Sequence, residues 1–308
     1  MPVRTFTWQD LPALLDFIGT VQAQNEQDRK VRQKSFQENL EQPDLYPEEN
    51  CLLLEADGQI LGCCLIFPEP LISRAVLALD ISTQIEGGAP EEELVQRAIA
   101  RAGALNAKVA HICLGQDSPR SELLQRSGFH LERVYWDMQW MGDRLPEADT
   151  PAGFTVRHFK PGDSAALAQV QNAAFTGSWG FCPNTVEQIE YRSAMSNTSH
   201  QGILFLHDQN RLAGYCWTCV APSGGKTKGI IGMIGIAPSH RGQGVSKPVL
   251  VAGMEYLQSI HVDEIGLHVD GNNTPAIRLY ASVGFEKVGE LHWYEYTPDK
   301  GCSKARLI

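Results

Sequence analysis

The chain has 308 residues, of which 43% are hydrophobic, so it can bury one large core or the cores of two ordinary domains. Its formal net charge of −10 argues against an extended basic surface for nucleic acid. The opening residues, MPVRTFTWQDLPALLDF, lack the apolar region of a signal peptide, and no apolar run is long enough to cross a bilayer. We therefore expect a cytoplasmic protein with no membrane and no nucleic-acid partner.

The two halves of the chain repeat one succession of elements at an offset of roughly 150 residues. VRTFTWQDLPAL (3–14) corresponds to VRHFKPGDSAAL (156–167), and each reads as a short strand followed by an amphipathic helix behind an aspartate. The strand pairs at 52–64 and 203–216 also correspond, as do LLQRSGF (123–129) and LYASVGF (279–285). The repeat predicts two tandem copies of one domain.

A segment without hydrophobic periodicity, GDRLPEADTPAG, separates the copies and is rich in proline, aspartate and glycine. We predict a first domain over 1–143, a linker over 144–152 and a second domain over 153–308.

In the second copy, the patterns predict strands near 153–159, 202–208, 211–221, 226–237, 264–270 and 285–296. Helices are predicted near 162–175, 184–195, 245–259 and 274–283. This order is typical of an α+β fold. Each copy is expected to form a mixed, mostly antiparallel sheet of six to seven strands, flanked by helices.

Eight cysteines occur in the chain, and only Cys216 and Cys219 have the CxxC spacing. They lie in GYCWTCV, which reads as a strand, where positions three apart point to opposite faces. We expect ordinary core cysteines here rather than a metal or redox pair.

The stretch SHRGQGVSKP (239–248) joins a predicted apolar strand to a predicted helix. Glycines between a strand and a helix N-terminus allow successive backbone amides to converge on an anion. Pro248 is compatible with the first helical turn, where amides lack intrahelical partners. The alternative is a turn that binds nothing, because the stretch matches neither the P-loop nor the dinucleotide fingerprint.

A second motif follows in LHVDGNNTPAIRLYASVGF (267–285), where Asn273 begins a short helix that contains Tyr280. Together, the two motifs resemble the GCN5-related N-acetyltransferase (GNAT) superfamily. Its phosphate loop, R/Q-x-x-G-x-G/A, is matched from Arg241 onward, except that Ser246 stands in the last position. Its second motif, Asn-x-x-Ala followed by Leu-Tyr and Gly-Phe, is matched as well.

The resemblance implies acetyl-CoA as cosubstrate, no metal, and transfer to an amine. It implies that the strand before the loop separates from its neighbour and offers backbone amides to the thioester carbonyl and pantetheine arm, and that Tyr280 faces the sulfur as general acid. The alternative for Tyr280 is a packing role. The implied cofactor-binding residues are Met233, Ile234, Gly235, Ile236, Arg241, Gly242, Gln243, Gly244, Val245, Ser246, Asn273, Ala276 and Tyr280.

Tandem copies with an active second half are similar to the mycothiol synthases, a branch of that superfamily. That branch carries a glutamate as general base in the strand before the loop, and KGIIGMIGI contains no acid. His268, which shares a strand face with Asp270, is the candidate base. The alternatives are that His268 is an ordinary surface histidine and that a water molecule takes the proton. The candidate acceptor-binding residues are Trp179, Glu190, Tyr191 and Asp270, although Trp179 could instead serve domain packing.

The first copy lacks both motifs: DISTQIEGGAPEEEL (80–94) replaces the loop, and Leu124 takes the tyrosine position. We expect a non-catalytic first domain, with residual CoA binding as the alternative. The predicted function is an acyl-CoA-dependent N-acetyltransferase acting by direct attack of a primary amine of a small molecule. The motifs do not identify that acceptor. The alternatives are a non-catalytic acyl-CoA sensor and mycothiol-synthase-like acetylation of a cysteinyl aminosugar. A monomer and a homodimer are both compatible.

Overall fold

The computed structural model describes residues 1–21, 23–209 and 211–298. Contacts divide the chain into two compact units. Unit 1 contains residues 1–135 together with the segment that begins at Glu290, and unit 2 contains Trp136–Gly289. No helix in the described ranges is both long and apolar enough to span a membrane.

Unit 1 is built on a mixed sheet with the strand order β1-β2-β3-β4-β5-β12, in which only β4 and β5 pair in parallel. Helices α1 and α2 pack on one face of this sheet and α4 packs on the other. Its elements are β1 (Val3–Thr5), α1 (Leu11–Thr20), α2 (Glu26–Leu40), α3 (Pro47–Asn50), β2 (Cys51–Ala56), β3 (Gln59–Glu69), β4 (Arg74–Ile81), α4 (Ala89–Ala104), β5 (Val109–Gly115), α5 (Ser121–Arg126) and the start of β6 (His130–Trp140).

Unit 2 repeats this plan with the order β6-β11-β10-β9-β8-β7, and β10 and β11 pair in parallel. Helices α6 and α7 cover one face, and α8 covers the other. Its further elements are β7 (Phe154–His158), α6 (Ser164–Phe175), α7 (Val186–Ser193), β8 (Thr198–Asp208), β9 (Arg211–Ser223), β10 (Lys226–Ile236), α8 (Ser246–Ser259), β11 (Glu264–Asp270), α9 (Thr274–Ser282) and the start of β12 (Phe285–Tyr296). The predicted fold class is confirmed.

The repeat extends to matching side-chain contacts. In unit 1, the Arg4 guanidinium donates two hydrogen bonds to Asp10, both of 2.8 Å. In unit 2, Arg157 binds Asp163 in the same bidentate way, at 2.6 and 3.0 Å. Each pair ties the first strand of its unit to the start of the first long helix.

The units differ from the predicted domain boundaries in two places. Residues 136–152 lie in unit 2, so the predicted linker is part of that unit. The end of β12 lies in unit 1, where Leu291–Tyr296 pair with Ala110–Gly115 of β5. Hydrophobic alternation shows that a segment is a strand but does not show which sheet it joins, so the patterns could not reveal this assignment.

The two CxxC thiols point to opposite faces of β9, as predicted. Cys216 lies within the core under α8, against Gly253, whereas Cys219 lies against Gly232 of β10. Burial raises the pKa of the Cys219 thiol to about 11, so this side chain stays protonated at neutral pH.

Candidate functional site

Strands β10 and β11 of unit 2 run together only briefly and then separate. Their parallel pairing extends from Lys228↔Glu264 to Ile230↔Gly266. β10 pairs with β9 along its whole length, from Lys226↔Ser223 to Ile236↔Gly214, with a bulge at Gly232, but it does not pair with β11 beyond Ile230. A gap therefore opens between β10 and β11.

Two backbone amides of β10 face this gap. The Ala237 N–H donates to Ala213 O of β9 at 2.8 Å. Because amides alternate along a strand, those of Met233 and Gly235 also point toward β9, and those of Ile234 and Ile236 point into the gap. The Ile236 carbonyl accepts from Arg241 Nε at 3.3 Å, which is consistent with this direction. Of the four strand residues predicted to bind a ligand, Ile234 and Ile236 therefore direct their amides into the gap.

The glycine-rich loop presents backbone donors at the start of α8. Gly242 and Gly244 have φ values of +75° and +74°, in the region that favours glycine. A Cβ atom at either position would meet nothing within 4 Å, so the space beside the loop is open. The amides of residues 242–245 donate to no protein acceptor within the described ranges. Free donors at the positive end of a helix dipole form an anion site.

The Arg241 side chain supports the loop instead of extending into the open space. Its Nη2 donates to Ala174 O of α6 at 2.6 Å, in addition to the bond from Nε to Ile236 O. Gln243 Nε2 likewise donates to Ser239 O at 3.1 Å. Arg241 is among the cofactor-binding residues implied by the resemblance, and in this structure its guanidinium is engaged by two backbone carbonyls.

Tyr280 lies on α9 with its ring buried in the core under α8. The ring packs edge-on against Phe285 with centroids 6.1 Å apart. Burial raises the pKa of the Tyr280 phenol well above its usual range, so the hydroxyl carries its proton at neutral pH. Within the described chain this hydroxyl forms no hydrogen bond, which leaves its proton available to a ligand.

Asn273 is the N-cap of α9. Its Oδ1 accepts from the Ala276 amide at 3.2 Å, so the Asn-x-x-Ala motif caps the helix. The side-chain NH₂ of Asn273 is the group that remains for a ligand.

His268 lies on β11, two residues beyond the last pair with β10, and its side chain is 46% exposed. Its Nε2 lies 3.5 Å from Asp137 Oδ1, and Lys228 Nζ lies 3.6 Å from the same oxygen. His268 holds the pKa of the Asp137 carboxyl below its usual range, with a further contribution from Lys228. Asp270 shares the strand face of His268, and its Oδ1 accepts from the Asn272 amide at 2.9 Å.

Asp137 was missed by sequence reasoning. It lies on β6, in the stretch attributed to the first copy, and only the pairing of β6 with β11 brings it near His268. No local motif signals this long-range strand pairing.

The remaining acceptor candidates lie on α7 and in the connection that precedes it. Glu190 is exposed, whereas Trp179 and Tyr191 are half-buried. Phe175 and Phe181, which flank Trp179 in the sequence, stack on each other with centroids 5.3 Å apart. Contact of these residues with an acceptor stays a prediction.

Among the described residues, one cluster has the side-chain types and spacing of a metal site: His130, Glu132 and Glu295. It belongs to unit 1 and takes no part in the site of unit 2.

The region with the strand gap, the loop and Tyr280 matches the model of the Acetyltransferase (GNAT) family over residues 164–285. The mycothiol acetyltransferase of Stackebrandtia nassauensis is 30% identical over 251 residues, which cover 78% of this chain and 80% of that protein. The chain belongs to the GNAT family of acetyltransferases, and the resemblance found in the sequence is confirmed.

Two solved structures share the doubled fold over nearly the whole chain. A GCN5-related N-acetyltransferase from Sphaerobacter thermophilus has a TM-score of 0.70 at 20% identity, covering 96% of this chain and 95% of that one. A tandem GNAT protein from the clavulanic acid biosynthesis pathway has a TM-score of 0.69 at 13% identity, covering 96% and 98%. At these identities, the likeness concerns the fold.

Proposed function

We propose that unit 2 transfers an acetyl group from acetyl-CoA to the primary amine of a small molecule. The observation that carries this proposal is the β10–β11 gap, which opens beside the free amides at the start of α8. An extended ligand with an anionic group and a reactive end fits this combination of an open strand edge and an anion site.

The loop amides would hold the pyrophosphate, through residues 242–245 together with Ser246 at the first position of α8. No carboxylate lies in the loop sequence itself, so its donors favour an anion. The Asn273 NH₂ and the small Ala276 would face the pantetheine arm. The Ile234 N–H would donate to the thioester carbonyl oxygen, where negative charge develops when an amine attacks.

Tyr280 would protonate the departing thiolate. A phenol carries its proton at neutral pH, and burial raises the pKa of Tyr280 further, so a proton is present at the moment the carbon–sulfur bond breaks. Attack by the amine is direct, with Tyr280 and the strand amide acting on the two ends of the same thioester group.

His268 would take the proton of the attacking amine, and Asp137 would stabilise the charged imidazole that results. The 3.5 Å separation and the exposed position of His268 at the opening of the gap support this assignment. A water molecule could relay the proton, because His268 is open to solvent.

The similarity to proteins named mycothiol acetyltransferase favours one particular acceptor, a cysteinyl aminosugar. The sequence of β10 argues against the same mechanism in this chain, because KGIIGMIGI contains no glutamate or aspartate that could serve as the general base. We therefore propose the broader class, a small-molecule amine, and keep the aminosugar as the second candidate. A non-catalytic sensor of acyl-CoA is the alternative of a different kind.

The test is the release of free CoA thiol, measured with a thiol-trapping reagent across a panel of amines that includes an aminosugar. We expect amine-dependent release. Tyr280→Phe should lower kcat by roughly 10²-fold while acetyl-CoA binding is retained, because only the acid is lost.

The matched control is Tyr256→Phe on α8, which we expect to leave kcat unchanged. Acetyl-CoA binding without any amine-dependent thiol release would favour the sensor. Unchanged turnover of Tyr280→Phe with a working acceptor would contradict the assignment of the acid.

A further inference from the structure

Unit 1 contains the same strand separation as unit 2, and side chains of the unit fill it. Parallel pairing of β4 and β5 runs from Arg74↔Val109 to Leu77↔Ile112, and β4 then continues to Ile81 paired with β3 but no longer with β5. Helix α4 begins at Ala89, after the loop that follows β4. The framework of a cofactor site is therefore repeated in unit 1.

A buried carboxylate occupies the start of α4. Glu91 is the third residue of the helix and is fully buried. Its Oε2 accepts from the Gly87 amide at 2.6 Å, so the side chain binds the loop as an anionic ligand would. The third residue of α8 in unit 2 is Pro248, which carries no charge.

A guanidinium occupies the separation between the strands. Arg120 Nε lies 3.1 Å from Glu91 Oε1 and 3.3 Å from Glu86 Oε1. Its Nη1 donates to the Leu79 carbonyl at 3.3 Å, on the part of β4 that no longer pairs with β5. The side chain of Arg120 is only 11% exposed, so the group is held inside the unit.

Aligning the two copies shows which residues of unit 1 differ from their counterparts in the unit 2 site. When LLQRSGF is aligned with LYASVGF, Arg120 stands where unit 2 has Ala276, and Leu124 stands where it has Tyr280. A small residue is thus replaced by the guanidinium that fills the separation, and the candidate acid is replaced by a buried aliphatic side chain.

We propose that Arg120 and Glu91 are a built-in occupant of the unit 1 cleft, so that the chain binds a single acyl-CoA molecule, in unit 2. This inference rests on the proposed function for the identity of the ligand. A pyrophosphate entering unit 1 would have to displace the Glu91 carboxylate from the Gly87 amide. To make room it would also have to move the Arg120 guanidinium away from Glu86 and Glu91. The pyrophosphate would then face two negative charges that no longer have their shared cation.

The first experiment counts the sites on the intact chain by isothermal titration calorimetry with CoA. We expect a stoichiometry of about one for the wild type. Gly244→Asp should abolish binding, because it places a side chain and a negative charge in the loop of unit 2. A stoichiometry of two, or binding that survives in Gly244→Asp, would overturn the inference alone. Absence of CoA binding by the wild type would overturn the proposed function and, with it, this assignment.

The second experiment removes the occupant. The double variant Glu91→Ala/Arg120→Ala eliminates both charges together, so neither is left buried without its partner. We expect a second CoA site, with a stoichiometry that rises from one toward two. The control is Glu93→Ala/Arg97→Ala, an exposed ion pair on the same helix, which should leave the stoichiometry at one.

Circular dichroism and thermal unfolding establish whether the double variant is folded. A folded double variant that still binds one CoA would show that this pair is not what excludes the ligand. If the double variant does not fold, the wild-type stoichiometry and the Gly244→Asp result decide the question.

Discussion

At the scale of single residues, the candidate site of unit 2 contains a pair that comes from distant parts of the chain. His268 lies on β11 and Asp137 lies on β6, and 3.5 Å separates their facing atoms. Lys228 shares the Asp137 oxygen at 3.6 Å, so the carboxylate balances two cationic neighbours when His268 is charged. In the proposed mechanism Asp137 would act through His268, which would make it a positioning residue.

We predict that Asp137→Asn lowers kcat about tenfold without changing the acetyl-CoA KM, because a neutral amide no longer stabilises the protonated imidazole. The measurement is steady-state kinetics from pH 5.5 to 9, compared with His268→Gln. An Asp137→Asn profile that matches the wild type would show that the pair has only a structural role.

At the scale of elements, the Arg–Asp pairs connect the first strand of each unit to its first helices. Both pairs are bidentate, and the carboxylate side chains are only 17% and 19% exposed. Arg4 lowers the pKa of Asp10 to about 2, and Arg157 lowers the pKa of Asp163 in the same direction. Ionised aspartate therefore stabilises the folded state in both units.

We predict that Asp10→Asn lowers the free energy of unfolding by roughly 0.5–1 kcal/mol at pH 7, given the partial exposure of Arg4. The Asp10 pKa is lower in the folded state than the value of about 3.9 in the unfolded chain. Its contribution is complete above that value and is lost as the pH falls toward 2. Urea unfolding at pH 7 and pH 3 should show a smaller difference between variant and wild type at pH 3. An equal difference at both pH values would contradict the assigned ion pair.

At the scale of the whole molecule, the compact units do not follow the boundaries of the repeat. Unit 1 needs Leu291–Tyr296 to extend its sheet beyond β5, and unit 2 includes Trp136–Trp140 of β6.

We predict that fragments 1–143 and 153–308 do not fold when each is produced alone, because each lacks a strand segment of its sheet and exposes an unpaired edge. Co-production should restore folding. Far-ultraviolet circular dichroism and limited proteolysis show whether the isolated and the co-produced fragments are folded. A cooperative melt of either isolated fragment would contradict the prediction.

The sequence by itself determined the doubling of the chain, the fold class and the order of elements in the second copy. Strands β11 and β12 were predicted with the observed bounds, and α8 within one residue. These features depend on hydrophobic alternation, glycine and helix caps, which act over a few neighbouring residues. The glycines also located the phosphate-loop candidate, whereas the role of Tyr280 came from the family resemblance.

Only the tertiary structure decided which residues meet. The pairing of β6 with β11 brings Asp137 to His268, the pairing of β12 with β5 assigns the chain's last strand to unit 1, and packing turns Arg241 onto backbone carbonyls. It also fills the cleft of unit 1 with Arg120 and Glu91. Strand partners and buried charges are selected by long-range pairing and desolvation, and neither is encoded in the residues next to them along the chain.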